Sequence, residues 1–309
     1  MAPTDVAFVV NPASANGSTG RRWAEIARGA ASAGLEGEAL VSTQPGEVAD
    51  LAARAAAQGA RLIVAVGGDG TVYETVNGLL RTPTADVELA VIPRGTGTDF
   101  VRTFGIPGDL ESAVAVARAG DVRTIDAGRA RYVAWDRSPA ESYFANFGGA
   151  GISGAIARRA NASSKALGGR VSFIWATLAV FLGWTGSEVT VRADDEERRG
   201  RMFEVLATLG EYAAGGMWVT PGAAPDDGLF DVLLIGDVTK ADFVRTFPKI
   251  YRGRHVTHPK IELLRGATVT IDSADPLPVA LDGEQPGTTP VTFEIVPRAL
   301  RLRVPSGRR

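Results

Sequence analysis

The stretch "LIVAVGGDGTVYETVNGLL", residues 62–80, runs from an apolar segment into Gly67, Gly68, Asp69, Gly70 and Thr71, and then into helical spacing. Glycines in such a turn let the backbone take positive φ and come close to a ligand. The helix start that follows offers free N–H groups to an anion. Together these features make a phosphate cradle. Asp69 is the awkward member, because a bare carboxylate repels phosphate unless it works through Mg²⁺ or orients a hydroxyl. The same residues also serve as plain punctuation: Thr71 to Glu74 has capping-box spacing, and Gly-Asp-Gly is good turn chemistry.

Two further loops repeat the pattern. "NPASANG" (11–17) and "IPRGTGTDFVR" (92–102) each follow an apolar run and combine glycine with small hydroxyl or amide residues. Arg21, Arg22 and Arg102 are cations that can serve such a site, or face water as most single arginines do. There is no G-x-x-x-x-G-K-[ST] loop. "GAGISG" (149–154) matches G-x-G-x-x-G, but it lies where strand-helix alternation has ended and has no acidic residue about 20 positions on. "ALDGEQPG" sets Asp282 in a turn after an apolar strand, which suits either a carboxylate projecting into a cleft or an Asp-Gly hairpin turn. "DDGLFD" has the same two readings. His255 and His258 are the only imidazoles, and they lack a carboxylate partner nearby, which favours structural or surface roles.

The elements that must position these residues change character along the chain. Residues 5–128 alternate short β-type runs ("VAFVV", "EGEALVST", "RLIVAVGG", "VELAVIP") with helical spacing ("GRRWAEIARGAASAG", "GEVADLAARAAAQG", "TVYETVNGLL", "DLESAVAVARAG"). That predicts a doubly wound parallel sheet with helices on both faces, binding ligand at the carboxyl ends of its strands. From 129 the chain turns to short strands punctuated by Pro, Gly and Asp, and to a polar-tipped hairpin at "EVTVRADDEERRGRMFEVLATLG". The prediction is an α/β nucleotide-binding domain over 1–128, then an antiparallel β-sandwich over 129–309. The last strand is free to return to the first domain. Helical interruptions fall near 171–183 and 240–253.

Composition narrows the class. The 309 residues carry a formal net charge of -2 and no cysteine. No global basic field points to nucleic acid, and disulfides and thiolate metal sites are excluded. The N-terminus lacks signal-peptide character. The longest apolar stretch, "VSFIWATLAVFLGW" (171–184), is shorter than the roughly 20 residues of a membrane span. Its tryptophans, with Arg158, Arg159, Lys165 and Arg170 before it, suit contact with a bilayer surface, or else a buried core helix.

Taken together, "NP" (11–12), "GGDGTVYETVNG" (67–78), "PRGTGTDFVR" (93–102), "IDAG" (125–128), "TPGAAPDDGLFDV" (220–232), "GRHVTHPK" (253–260) and "LDGE" (281–284) resemble the bacterial diacylglycerol kinase and sphingosine kinase-like lipid kinases. The resemblance implies an ATP-dependent, Mg²⁺-using kinase acting on a lipid hydroxyl. It implies a nucleotide side built from Asn11, Arg21, Arg22, Gly67, Gly68, Asp69, Gly70, Thr71, Glu74, Gly95, Thr96, Asp99, Arg102 and Asp126. Asp69, Asp99 and Asp126 match a carboxylate and water network around the nucleotide's Mg²⁺. Asp282 matches the family's general base and Glu284 its supporting carboxylate. Asp227, with the carbonyls of Ala224 and Leu229, matches a second, structural Mg²⁺ site. Thr98 departs from the family's asparagine, which puts nucleotide preference in question. The alternatives are an NAD kinase-like enzyme with a soluble substrate and a nucleotide-binding regulator without catalysis. A cytoplasmic chain is expected, meeting its lipid peripherally at the inner face of the membrane, with a homodimer left open.

Overall fold

The computed structural model describes residues 5–82, 86–95, 98–162, 180–181 and 183–307, with side chains at 160–162 not described. The chain divides into two units. The first runs to Ile125 and takes back the segment from Arg298; the second is Asp126–Pro297.

In the first unit, β1 (Val6–Val10), β2 (Glu38–Val41), β3 (Leu62–Gly67) and β4 (Glu88–Pro93) are parallel and ordered β4-β3-β1-β2. The end of β16 (Glu284–Val304) adds alongside β4, also parallel, pairing Arg301 with Glu88 and Leu302 with Leu89. Every residue of β3 is buried, as a strand covered on both faces requires. On one face Phe8, Val10, Val64, Val66 and Ile92 pack with Ile26 and Ala30 of α2 (Trp23–Ser32) and with Val114 and Ala117 of α6 (Leu110–Ala119). The alternate strand residues Ala7, Val9, Ile63 and Ala65 are equally buried, and α3 (Glu47–Ala57) and α4 (Asp69–Arg81) contact these strands and each other. Short helices α1 (Ser18–Arg21) and α5 (Asp99–Thr103) follow the loops after β1 and β4. Helix α6 starts and stops where its caps dictate: the Asp109 side chain accepts from the Ser112 N–H, and Gly120 ends it.

The second unit is an antiparallel β-sandwich. One run of pairings joins β13 (Ile261–Gly266), β12 (Phe230–Gly236), β9 (Glu196–Thr208), β7 (Phe147–Gly151) and β15 (Pro278–Leu281). Another joins β9, β8 (Ser187–Ala193), β14 (Thr268–Ser273) and β16. Strands β5 (Asp121–Ala134) and β6 (Pro139–Phe144) form a hairpin. Fully buried Phe144, Phe230 and Phe293 meet in the core, with Phe144 stacked on Phe230 at 5.7 Å and edge-on to Phe293 at 5.5 Å. The hairpin expected at 188–210 is β8–β9, turning between Ala193 and Glu196. The two strands expected at "VTFEIVP" and "ALRLRVP" are one strand, β16, carried through Pro297 and through Arg298 at φ 52. Helix α7 (Ile152–Ala162) follows β7, and helix α8 (Lys240–Ile250) follows β12. The segment expected to be helical near 171–183 lies, apart from 180–181 and 183, outside the described residues. No helix among the described residues is long and apolar enough to cross a membrane.

Candidate active site

The loops at the carboxyl ends of β1, β3 and β4 come together in the first unit. Asn11 donates its side-chain amide to the Thr71 hydroxyl at 3.2 Å. Gly68 and Gly95 bring two backbones into contact. A Cβ on Gly95 would lie 2.6 Å from the Gly68 Cα, and one on Gly67 would lie 2.1 Å from the Thr71 hydroxyl oxygen. Close approach is therefore what these glycines serve. The expected positive φ is not found at Gly67, Gly68 or Gly70, and Gly68 sits at φ -97.

Asp69 is the first residue of α4, and its carboxylate reaches across to the start of α5. It accepts from the Asp99 N–H at 3.4 Å and the Phe100 N–H at 3.3 Å. Burial pushes its acidity down, raising its pKa above the usual aspartate value, while the N–H groups of Phe100, Asp99 and Thr98 oppose that shift. A carboxylate sits in this side-chain-poor turn because it satisfies the free N–H groups of the neighbouring helix. Glu74 is inside α4 and makes no capping box with Thr71. Its carboxylate instead accepts from the Val48 N–H at 3.1 Å, in the first turn of α3. Asp99 is buried at the start of α5.

Arg22 forms an exposed pair with Glu25 at 2.6 Å, and Arg21 donates to the Asn16 carbonyl at 3.3 Å. Arg102 is exposed on α5. Thr96 lies outside the described residues. Arg94, overlooked in the sequence, sits beside Gly95 with a buried Nε that has no hydrogen-bond partner. Its place in the same loop was the available signal.

Thr98 caps α5 in the left-handed region, at φ 62 and ψ 30. A β-branched residue tolerates that region poorly, whereas asparagine enters it readily. Thr98→Asn is expected to raise unfolding stability by about 1 kcal/mol, measured by denaturant titration. Equal or lower stability would show that position 98 carries no backbone strain.

The second unit holds the other sequence-predicted residues in two places. Asp126 is buried. Its N–H donates to the Pro225 carbonyl at 2.8 Å, and its carboxylate accepts from the Gly228 N–H at 2.8 Å. It thus clamps the "DDGLFD" loop, in which Asp227 accepts from its own Leu229 N–H at 3.1 Å. Arg265 pairs with Asp227, and at 3.3 Å with Asp231. Asp231 has a buried Oδ2 without a hydrogen-bond partner, and burial raises its pKa against the pull of Arg265. Two carboxylates, one with an orphaned buried oxygen, are the oxygen donors a hard cation takes, and here Arg265 is the cation that pairs with both. Among the described residues no group of three His, Cys, Asp or Glu side chains forms a metal cluster, so carbonyls or waters would have to complete any such set.

Asp282 and Gly283 form a two-residue turn between β15 and β16, with φ 48 and 92. This is a tight Asp-Gly hairpin. The Asp282 carboxylate folds back onto the segment before β7. It accepts from the N–H groups of Ala145 (2.8 Å), Asn146 (3.0 Å) and Phe147 (2.8 Å). Only 9% of the residue is exposed. Glu284 is half-buried two residues on. Asn146, which sequence reading missed, donates its side chain to the Tyr212 carbonyl at 2.8 Å and leaves a buried amide oxygen without a partner. An asparagine inside the apolar run "YFANFGG" was its only signal.

His255 is buried against the Val219 carbonyl at 2.9 Å, and His258 accepts from the Lys260 N–H at 3.2 Å. "GAGISG" is the β7–α7 junction. Its turn holds a carboxylate of the chain itself: buried Glu204 accepts from the Ser153 N–H at 2.5 Å and the Ser153 hydroxyl at 2.9 Å.

An α/β unit with a glycine-lined turn, followed by an antiparallel sandwich carrying clamped carboxylates, matches the two-domain kinase that the sequence resembles. A family model described as the diacylglycerol kinase catalytic domain matches residues 5–130, and one described as the YegS C-terminal NAD kinase beta sandwich-like domain matches 148–304. The chain belongs to the diacylglycerol kinase family. A diacylglycerol kinase of Bacillus subtilis strain 168 is 27% identical over 299 residues, spanning 96% of this chain and 95% of its own length. One of Staphylococcus saprophyticus is 26% identical, spanning 93% and 90%. A crystal structure of a diacylglycerol kinase from Bacillus anthracis shares the fold at TM-score 0.72 and 22% identity, covering 98% of each chain. Yeast NADH kinase in complex with NADH is more distant, at TM-score 0.54 and 12% identity, covering 97% of this chain and 82% of that one.

Proposed function

We propose that the chain transfers the γ-phosphoryl group of ATP to a lipid hydroxyl of diacylglycerol type, with Mg²⁺. The observation that carries this reading is the Asp282 carboxylate, held by three backbone N–H groups at the family's general-base position. An acceptor hydroxyl gives its proton to Asp282 as its oxygen bonds to the γ-phosphorus, and the bond to ADP breaks. The clamp fixes the acceptor oxygen before the reaction, so little reorganisation is needed when charge moves. On the nucleotide side, the Gly68–Gly95 approach leaves backbone open to phosphate, and Asp69 keeps the starts of α4 and α5 together. Mg²⁺, when bound, neutralises charge on the phosphates. Asp227, Asp231 and the carbonyls of Ala224 and Leu229 are the residues suited to a second, structural ion.

The fold alone does not choose the acceptor, since an NADH kinase shares it. The deciding experiment supplies labelled ATP with a panel of diacylglycerol, monoacylglycerol, sphingoid base and phosphatidylglycerol, and separately with NAD. Labelled lipid is expected. Labelled NADP with no lipid product would overturn the reading, and no turnover with either would favour a regulator.

The ion has its own test. Added Mg²⁺ is expected to raise the parent's melting temperature with ion concentration, as mass action requires. In Asp227→Ala that increment should vanish. The variant also frees Arg265, so a lower baseline is expected, and only the loss of the Mg²⁺ increment is diagnostic. Equal Mg²⁺ stabilisation of parent and variant would place the ion elsewhere.

A further inference from the structure

The first unit carries a second recess, at the amino ends of its parallel strands and so opposite the glycine-lined loops. Its volume is about 570 Å³, inside the roughly 300–1,000 Å³ of small-molecule sites. Its walls come from the starts of β1, β3 and β4, the turn after α2, the end of α6 and the returning end of β16, all within that unit. Four arginines line it: Arg61 just before β3, Arg118 in the last turn of α6, and Arg301 and Arg303 on β16. Three carboxylates, Asp5, Asp86 and Glu88, share it.

The pairing inside the recess is uneven. Glu88 accepts from Arg301 at 3.0 Å and from Arg303 at 2.5 Å, and Asp86 accepts from Arg301 at 3.3 Å. Those two acids neutralise those two arginines, yet Arg301 keeps a buried Nε without a hydrogen-bond partner. Arg303 also donates to the Gly120 carbonyl at 3.0 Å. Arg61 and Arg118 are exposed, and among the described residues no hydrogen bond or ion pair holds either guanidinium. Gly34, at φ 78, gives Arg118 its room: a Cβ there would come within 3.3 Å of Arg118 Nη1. Asp5 is the one acid left to oppose this pair, and it is bonded to neither. Four cations against three carboxylates leave a positive surplus, and it resides on Arg61 and Arg118.

We propose that this recess binds a small phosphorylated polyol, with its phosphate on Arg61 and Arg118 and a neighbouring hydroxyl donating to Asp5. Guanidinium forks match phosphate oxygens and hold them through charge-assisted hydrogen bonds. Charge sets the ligand class. Against two guanidiniums and one carboxylate a monoanion gains little, whereas a phosphate monoester brings about -1.5 to -2 at neutral pH. Asp5 then selects among phosphates. An ionised carboxylate only accepts, so it favours a ligand that offers a hydroxyl and repels one that offers only oxygen anions. None of these residues belongs to the phosphoryl-transfer machinery, so the recess is independent of the lipid-acceptor reading.

The test is titration calorimetry on the full chain without nucleotide, using glycerol 3-phosphate, inorganic phosphate and glycerol as probes. Glycerol 3-phosphate should bind, inorganic phosphate should bind more weakly, and glycerol should give no heat of binding. Arg61→Gln/Arg118→Gln should lower affinity for both phosphates at least about tenfold. The free variant should melt with the parent, because neither side chain has a partner to lose. Asp5→Asn should tighten inorganic phosphate and so narrow the preference for glycerol 3-phosphate. A non-hydrolysable ATP analogue should leave glycerol 3-phosphate affinity unchanged, since the nucleotide loops lie at the other end of the strands. Lipid turnover is not read in any arm, so failure of the acceptor assignment and failure of this site are distinguishable. The site is overturned if the Gln variant binds glycerol 3-phosphate like the parent, if the ATP analogue displaces it from the parent, or if none of the three probes binds.

Discussion

Asp282→Asn is expected to cut turnover about 10²- to 10⁴-fold, the usual loss when a general base is removed. Nucleotide affinity should survive. The geometry adds a second consequence. The carboxylate accepts from Ala145 through one oxygen and from Asn146 and Phe147 through the other. Asparagine keeps one acceptor oxygen, so its NH₂ must face at least one N–H that it cannot satisfy. A buried donor left unpaired costs about 1–3 kcal/mol. The variant should therefore melt lower as well as turn over slowly. The two effects separate cleanly. A stability loss of that size leaves most molecules folded in a protein of ordinary stability, whereas a lost base slows every one of them. Single-turnover rates on the folded fraction, with melting recorded alongside, decide the matter. If the rate stays near the parent's while the melting temperature drops, Asp282 is a turn clamp and another group takes the proton.

The same residue shows how far the sequence carries. An Asp-Gly turn and a carboxylate projecting into a cleft are competing readings of "ALDGEQPG"; the structure shows the turn, with the carboxylate folded back onto three backbone N–H groups. The turn sets the backbone at φ 48, and that backbone lets the side chain fold into the three N–H groups. Period and punctuation were enough for the fold class. Strand runs with helical spacing between them require a covered parallel sheet, and short strands punctuated by Pro and Asp require an antiparallel one. Strand count was harder. Pro297 and Arg298 look like a break, yet a single positive-φ residue there lets β16 continue. The positive φ expected of the glycines at 67, 68 and 70 is absent. Gly67 makes room for Thr71 of its own turn, whereas Gly68 and Gly95 allow contact between loops 27 residues apart, which no local pattern encodes.

The carboxylates divide along the same line. Asp69 drew attention because of its neighbours, and its N–H partners come from α5, the helix that follows a loop far along the chain. Asp126 and Gly228 are joined although 102 positions separate them. Arg94, Asn146 and Glu204 were passed over because nothing local marks an orphaned or buried polar atom. Each is a single polar residue within or beside an apolar run, and burial is a property of the assembled core.

Glu204 carries the other large effect. It is 2% exposed on β9, paired across strands with Gly151 and Ile235, beside the cluster of Ile152, Phe181 and Phe203. Desolvation raises its pKa from 4.5 to about 8, against the opposing hydrogen bonds from Ser153. The folded chain therefore keeps a proton that the unfolded chain releases near the ordinary glutamate value. Between the two, the unfolded state binds fewer protons, so unfolding becomes easier as pH rises. The group's stability contribution is fully present below the unfolded value, is lost through the window from 4.5 to about 8, and levels off above it. Each pH unit in the window is worth about 1.4 kcal/mol, and the full shift about 5 kcal/mol as an upper bound. Glu204→Gln stays neutral, keeps an acceptor for the Ser153 N–H and offers its NH₂ to the Ser153 hydroxyl, so it should lack this slope. The variant is expected to gain on the parent by several kcal/mol between about pH 5 and pH 8. Above the folded pKa, charge in the apolar cluster should loosen the β7–α7 junction first, giving faster amide exchange at Ser153 in the parent than in the variant. Denaturant unfolding across pH measures the first effect and hydrogen exchange the second. Parallel stability curves for the two proteins would mean that Glu204 is already ionised in the folded chain at neutral pH.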